Sequence, residues 1–327
     1  MKETLQCCLN LSCWLILNKK KIAIIGCGDI ALKHAEALQK SEFFELKYCF
    51  DIDSKVNKQY ADKFGLEIKN IKQIISSDSE AVVIAAPPYT HIDLINEISV
   101  SDKIIISEKP IGSGFENAVL QNINKKKIFI VQQMRFNPYF KAIKDLYISQ
   151  KLKINHISVD IFLNRNENYF KKEWRKDITK SGGIWGNQGF HLLDFLINLL
   201  GKPIKIERKQ IKLHSDEFHI QSELLFLIFK NNITVNIFFS IDNQYSENQS
   251  LLKIYGENAY IEISGQLLNK LNYSFGVDLN VEEKNISMFE EYYNFLYFCL
   301  TSNLNNKNSL NDAIINYELV KKIYNRR

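Results

Sequence analysis

A chain of 327 residues with 46% hydrophobic side chains is long enough for one large or two ordinary domains with real cores. Its formal charge of +5 is spread along the chain, which slightly favours anionic ligands and gives no ground for a nucleic-acid partner. The six cysteines, Cys7, Cys8, Cys13, Cys27, Cys49 and Cys299, have neither zinc-site spacing nor the density of a disulfide framework, so no metal and a reducing cytoplasm are expected.

The leader, Met1 to Asn18, is apolar from Leu5 to Leu17 but carries Gln6, Asn10 and Ser12. It is too short to span a bilayer and shows no clear signal-peptide pattern. It reads as an appendage that folding can do without, with no membrane insertion.

The chain is organised around KIAIIGCGDIALKH, Lys21 to His34. Ile22 to Ile25 suits a buried parallel strand, and Ala31, Ala35 and Leu38 mark one face of a following helix. Between them stands G-x-G-x-x-A. Gly26 permits a tight turn, Gly28 lets a diphosphate approach the backbone, and Ala31 lets helix and strand pack closely. The first helical amides, at Asp29 and Ile30, then face the diphosphate. A second strand, Phe43 to Phe50, ends in Asp51, about twenty residues beyond the glycines, where a carboxylate holds ribose hydroxyls. A dinucleotide site follows. Asp51 favours NAD(H) over NADP(H), although Lys55 stands close enough in sequence to reach a 2′-phosphate.

Ser54 to Phe64 reads as a helix stopped by Gly65, and Ile71 to Ile75 as a short helical segment. Ala81 to Ala85 is the next buried strand. It runs into Ala86-Pro87-Pro88-Tyr89-Thr90-His91, a loop at the ligand-binding end of a parallel sheet. Thr90 is placed to cap the next helix. His91 reads either as a cofactor contact or as a helix-start histidine bonded to local backbone. Ile104 to Ile106 leads into Ser107-Glu108-Lys109-Pro110, which sets Lys109 over the crevice as a proton donor able to polarise a carbonyl or steady an alkoxide. Ile128 to Val131 is the last strand of this unit, before Gln132-Gln133-Met134-Arg135-Phe136-Asn137-Pro138.

These pieces, GCGDIALKH, APPYTH, SEKP and RFNP, with SGGIWGNQGFHLLD further on, resemble the Gfo/Idh/MocA family of oxidoreductases. The likeness runs from about Lys20 onward and is strongest up to Asp194. It implies an α/β Rossmann nucleotide-binding domain, residues 19–134. An α+β domain for substrate binding and oligomerisation, residues 135–327, follows, with an open, mainly antiparallel sheet. It also implies a nicotinamide cofactor, a sugar or polyol substrate and a homo-oligomer, dimer or tetramer. The family lysine falls on Lys109 and the family histidine on His191. Cofactor contacts are expected from Gly26, Gly28, Asp29, Ile30, Asp51, Ala86, Pro87, His91, Glu108 and Lys109.

In the second domain, Pro138 to Ser149 reads as a helix and Ile154 to Leu163 as a strand. Arg165, Tyr169, Trp174 and Arg175 then combine rings with guanidinium groups, which suits an anionic substrate. Ser181-Gly182-Gly183 forms a corner before a helix expected from Asn187. Asn187 and His191 are four apart, so one helical face presents both. Histidine can take a hydroxyl proton near neutral pH. Many relatives carry an acid where Asn187 stands, and Ile184 replaces a glycine. The NQGFH version resembles the branch that acts on nucleotide-linked sugars, including UDP-N-acetylglucosaminuronate 3-dehydrogenases. Arg135, Asn137, Arg165, Tyr169, Trp174, Arg175, Asn187 and His191 are therefore expected at the substrate. A free-sugar, inositol or biliverdin-type reductase and a non-catalytic nicotinamide-dependent sensor are the alternatives. Strands are expected over 204–213, 222–230, 233–240, 251–255 and 259–264, an irregular stretch over 266–283, and closing helices over 289–301 and 310–324.

Overall fold

The computed structural model describes residues 19–115, 120, 124, 127–165, 167–211, 221–241, 247–279, 281, 286–302 and 310–325; the leader expected to be dispensable lies outside them. The first unit alternates strands and helices: β1 (Lys20–Ile25), α1 (Asp29–Gln39), β2 (Phe44–Phe50), α2 (Ser54–Phe64), β3 (Glu67–Ile68), α3 (Ile71–Ser76), β4 (Ala81–Ile84), α4 (His91–Ile98), β5 (Ile104–Glu108) and β6 (Ile128–Val131). The strands form one parallel sheet in the order β3-β2-β1-β4-β5-β6. Burial on both faces explains the unbroken apolar runs of the strands β4 and β6 and of Ile22–Ile25 in β1. Ile22 and Ile24 enter one core layer with Val83 and Ile106, while Ala23 and Ile25 enter the other with Val82 and Ile105. Each fully buried isoleucine contributes about 1.5–3 kcal/mol. Local chemistry sets the helix ends. Asp53 accepts from the amides of Lys55 and Val56, and Gly65, at φ +67°, closes α2 in the left-handed conformation.

The second unit runs through α5 (Pro138–Ile148), β7 (Ile154–Leu163), α6 (Glu167–Phe170), α7 (Ile178–Ser181), a π-helical turn (Ile184–Gln188) and α8 (Phe190–Leu200). It continues with β8 (Lys205–Ile211), β9 (Gln221–Ile228), β10 (Thr234–Ile241), β11 (Gln249–Gly256), β12 (Tyr260–Ser264) and β13 (Lys270–Phe275). Helices α9 (Met288–Thr301) and α10 (Leu310–Asn325) close the described chain. The sheet order is β13-β12-β11-β7-β10-β9-β8. Only the central β7–β10 pair is parallel among these strands. Ile157, Val159 and Ile161 of β7 face a core shared with Phe140 of α5 and Leu193 and Leu196 of α8. No helix among the described residues is long and apolar enough to cross a membrane, and no group of three or more His, Cys, Asp or Glu among them is placed to hold a metal.

Four expectations change. Thr90 does not cap α4: it closes a 3-10 turn, Pro88–Thr90, and its hydroxyl donates to the Pro87 carbonyl at 2.8 Å. Residues 270–275 are a strand, not irregular: Leu271, Tyr273 and Phe275 alternate with polar residues, and this short run lies at the sheet edge with most of its side chains in solvent. The stretch from Asn187 first makes the π-helical turn, and α8 starts only at Phe190. Helix α9 belongs to the first unit's core, where Tyr292, Tyr293 and Leu296 pack with Ala31, Ala35 and Phe44.

Gly26 sits at φ +91°, and a Cβ there would lie 2.6 Å from the Ala85 carbonyl oxygen. Gly26→Ala therefore combines an unfavourable backbone conformation with a clash against backbone. The expected loss is about 1–3 kcal/mol of unfolding free energy, read as a lower urea midpoint; an unchanged midpoint would show that the β1–β4 crossing does not need glycine.

Candidate active site

The carboxyl ends of β1, β2, β4 and β5 open onto a cleft of about 580 Å³. At its floor, Gly26 and Gly28 lead into α1, whose N-terminus no side chain caps. Asp51 stands at the end of β2. Its Oδ2 accepts from the Cys27 amide at 2.8 Å and its Oδ1 from the Asp53 amide at 2.9 Å. A carboxylate has about four acceptor sites, so this anchoring leaves capacity for two ribose hydroxyls. The uncapped helix, the glycine turn and the fixed carboxylate all line one cavity, and these residues fit a dinucleotide. Ile30, Ala86, Pro87, Glu108 and Lys109 line it as well, while Lys55 is exposed and outside its lining.

Lys109 is held from beneath. Its amide donates to Glu108 Oε2 at 3.1 Å. Glu108 Oε1 lies 3.0 Å from His34 Nε2, and His34 Nδ1 lies 2.7 Å from the Tyr293 hydroxyl. Both Glu108 and His34 are buried. The Lys109 ammonium donates to the Asn187 carbonyl at 3.0 Å, across the domain junction. Burial pushes the Lys109 ammonium below the ordinary lysine value, and Glu108 opposes that shift.

His191 lies in the first turn of α8 and faces a second cavity of about 160 Å³, lined also by Arg165, Gln188, Met134, Phe239 and Ser250. Gln133 Nε2 stands 3.3 Å from His191 Nε2, so the amide donates to a ring nitrogen that carries its lone pair. Burial, and then the Lys109 charge, hold His191 well below the ordinary histidine value of 6.5. Neutral imidazole is thus the resting form at neutral pH. Lys109 lines the large cleft and His191 the small cavity, and the lysine charge reaches the histidine.

The other expected residues divide. Arg165 reaches the second cavity: its NH1 donates to Asn164 O and Asn248 Oδ1, and its buried Nε finds no hydrogen-bond partner among the described residues. Asn187 lines the large cleft, with its amide 3.5 Å from the Tyr169 hydroxyl. Tyr169, Trp174 and Arg175, expected at the substrate, instead line the dinucleotide cleft, where Arg175 NH2 lies 3.0 Å from Asp29 Oδ2. Three residues are committed elsewhere. Asn137 is buried, accepts from the Tyr139 and Phe140 amides as the cap of α5, and donates to the Leu267 and Leu268 carbonyls. Arg135 pairs with Asp194 at 2.7 Å and Asp312 at 2.8 Å. His91 is buried between the Pro110 and Ala86 carbonyls, each 2.7 Å from a ring nitrogen, and braces the two loops instead of facing cofactor. Gln133, Gln188 and Lys172 carry site contacts that no sequence spacing announced.

Two family models match this chain: the oxidoreductase NAD-binding Rossmann fold over residues 20–131 and the oxidoreductase C-terminal alpha/beta domain over residues 152–292. The chain belongs to the Gfo/Idh/MocA oxidoreductase family. Among curated family members, it is 28% identical over 206 residues to glucose-6-phosphate 3-dehydrogenase of Bacillus subtilis, covering 60% of this chain and 58% of that one. It is 28% identical over 192 residues to inositol 2-dehydrogenase of Rhizobium meliloti, covering 57% of each. The chain therefore matches rather more than half the length of these relatives. The fold is similar to that of the WlbA dehydrogenase from Bordetella pertussis, solved in complex with NADH and UDP-GlcNAcA, with TM-score 0.82, 18% identity and 94% of each chain covered.

Because His191 is neutral at rest, it stays available as a base in acid further than an ordinary histidine does. In the oxidising direction the rate should hold through pH 6.5 and fall only below it, as the ring protonates. His191→Asn should lower turnover by about 10²–10⁴-fold and remove that acid limb while NADH binding persists. A limb centred above pH 6.5 would contradict the burial argument.

Proposed function

We propose that the protein is an NAD-dependent oxidoreductase of a nucleotide-linked sugar, a UDP-N-acetylhexosamine or its uronic acid, with C3 the favoured carbon. The observation that carries this reading is that Lys109 lines the dinucleotide cleft while His191, near enough to be influenced by its charge, lines a small mixed-polarity cavity together with Arg165. A cavity near 160 Å³ is about the size that encloses one six-membered ring. The nucleotide portion would then lie beyond Arg165. The unpartnered Arg165 Nε suits an anionic group there, since guanidinium binds carboxylate or phosphate at two points. Asp51 favours the unphosphorylated ribose of NAD(H), because a 2′-phosphate beside a fixed carboxylate is repelled.

Bound nicotinamide would exchange the hydride with a ring carbon. His191 Nε2 takes the departing hydroxyl proton, at the position that the Gln133 amide now occupies, and returns it in reduction. Lys109 donates from Nζ to the reacting oxygen and steadies the charge that develops on it. Asn187 orients a hydroxyl and transfers no proton, because an amide cannot exchange one as a carboxylate does.

A sugar monophosphate is the second reading. With Arg175 tied to Asp29, Arg165 is left as the guanidinium at the small cavity, and a single phosphate needs no more. A direct comparison of UDP-N-acetylglucosaminuronate, UDP-N-acetylglucosamine, hexose 6-phosphates, inositol and free sugars, followed by NADH absorbance in both directions, separates these. The UDP-sugars should turn over with kcat/KM at least about tenfold above the rest, one further charge-assisted contact being worth that much. Efficient turnover of inositol or a free sugar, with no UDP-sugar bound, would reject the substrate while leaving the oxidoreductase.

The outer face of the second sheet supports self-association. Phe162, Leu224, Phe226, Phe238 and Leu251 stand partly exposed on it, grouped around Asp160, a clustering of apolar side chains that suits a partner surface. Sedimentation should give a dimer or tetramer, and Phe238→Glu should dissociate it; a concentration-independent monomer would remove this face from consideration.

A further inference from the structure

The phosphate turn of the first domain carries a charge of the wrong sign. Asp29 is the first residue of α1, and its side chain lines the dinucleotide cleft. Among the described residues, the first domain contributes three carboxylates to that cleft, Asp29, Asp51 and Glu108, against one ammonium, Lys109. A dianionic diphosphate approaching this set alone would gain from the helix dipole and lose to Asp29, which stands in the same first turn.

The second domain supplies the balance. Lys172 Nζ lies 3.1 Å and Arg175 NH2 lies 3.0 Å from the same oxygen, Asp29 Oδ2. Lys172 Nζ also lies 3.7 Å from the point where a Cβ on Gly28 would stand, directly over the turn that a diphosphate approaches. Arg175 is positioned by its neighbours: NH1 donates to the Tyr169 carbonyl at 3.0 Å and the guanidinium covers the Tyr169 ring at 4.3 Å. Its Nε is buried and has no hydrogen-bond partner among the described residues. Asp29 is thus shared by two cations that keep donors to spare, since an ammonium has three and a guanidinium five.

We propose that Lys172, with Arg175, is the charge-balancing half of the dinucleotide site: it cancels Asp29 and lends the surplus positive charge to the cofactor diphosphate. Cofactor affinity therefore depends on the second domain, whatever sugar the enzyme takes. The inference rests on the dinucleotide reading of the cleft and not on the substrate.

The test is an equilibrium titration with NADH, read by fluorescence without turnover, in the full chain. Lys172→Met keeps the length of the stem and removes the charge. It should raise the Kd about tenfold at low salt, the ordinary yield of one charge-assisted hydrogen bond. At 0.5 M salt, on the order of a few ångströms of screening length, the gap should narrow. Asp29→Asn should tighten binding, and the double variant Asp29→Asn with Lys172→Met should recover most of the wild-type affinity. Adenosine, which has no diphosphate, should bind wild type and Lys172→Met alike. Unchanged NADH affinity in Lys172→Met, an equal loss for adenosine, or a double variant no better than Lys172→Met would each overturn the proposal. Failure of the wild type itself to bind NADH would instead reject the dinucleotide site.

Discussion

A single buried carboxylate holds the junction of the two domains. Asp194 is 2% exposed and accepts from Arg135 through both oxygens, from Gln132 and from Asn316. A charge removed from water survives only when paired and saturated with donors, and stripping one partner from such a pair costs about 3–5 kcal/mol. The donors come from the segment after β6 and from α10, and the acceptor from α8. Three pieces of chain far apart in sequence are therefore locked at one point. His191 precedes Asp194 by three residues on the same helix, so its ring inherits that fixed position. The same bonds commit Nε and NH2 of Arg135 to Asp194, which gives this RFNP arginine a structural task at the junction.

A second buried chain, Tyr293 to His34 to Glu108, performs the parallel task for Lys109. Glu108 reaches the backbone amide of Lys109, so the lysine stem starts from a fixed origin while its ammonium spans the junction to the Asn187 carbonyl. Lys109 and His191 are thus anchored by two separate buried networks. Burial first, and then the Lys109 charge, keep the histidine neutral.

The sequence made the local features legible and left the through-space ones hidden. The glycine turn and the Gly65 stop of α2 are set by residues within a few positions of one another, Asp51 follows from its spacing about twenty residues beyond the glycines, and each stands where the sequence places it. Lys109 and His191 are legible through the family motifs, and in the structure the lysine charge reaches the histidine. Asn137 and His91 look functional in a linear reading because polar residues beside proline-rich loops often are. Their donors and acceptors are in fact consumed by backbone, a demand visible only once the loops have closed. Arg175 carries the right chemistry but belongs to the other cavity, because the fold swings residues 167–175 over the first domain's glycine turn. Gln133 had no pattern at all; its role comes from a contact with a helix 58 residues away.

The return of α9 to the first domain sets an order of assembly. Tyr293 meets His34 across 259 residues of sequence. During synthesis, α1 emerges early with Ala31 and Ala35 on a face that Tyr292, Tyr293 and Leu296 must eventually cover. Until residues 288–301 leave the ribosome, that face stays open and His34 and Glu108 lack their final partner. The parallel sheet can form first, but the first domain cannot complete its core as a nascent unit. The completion of its core therefore waits until the sheet of the second unit has been made.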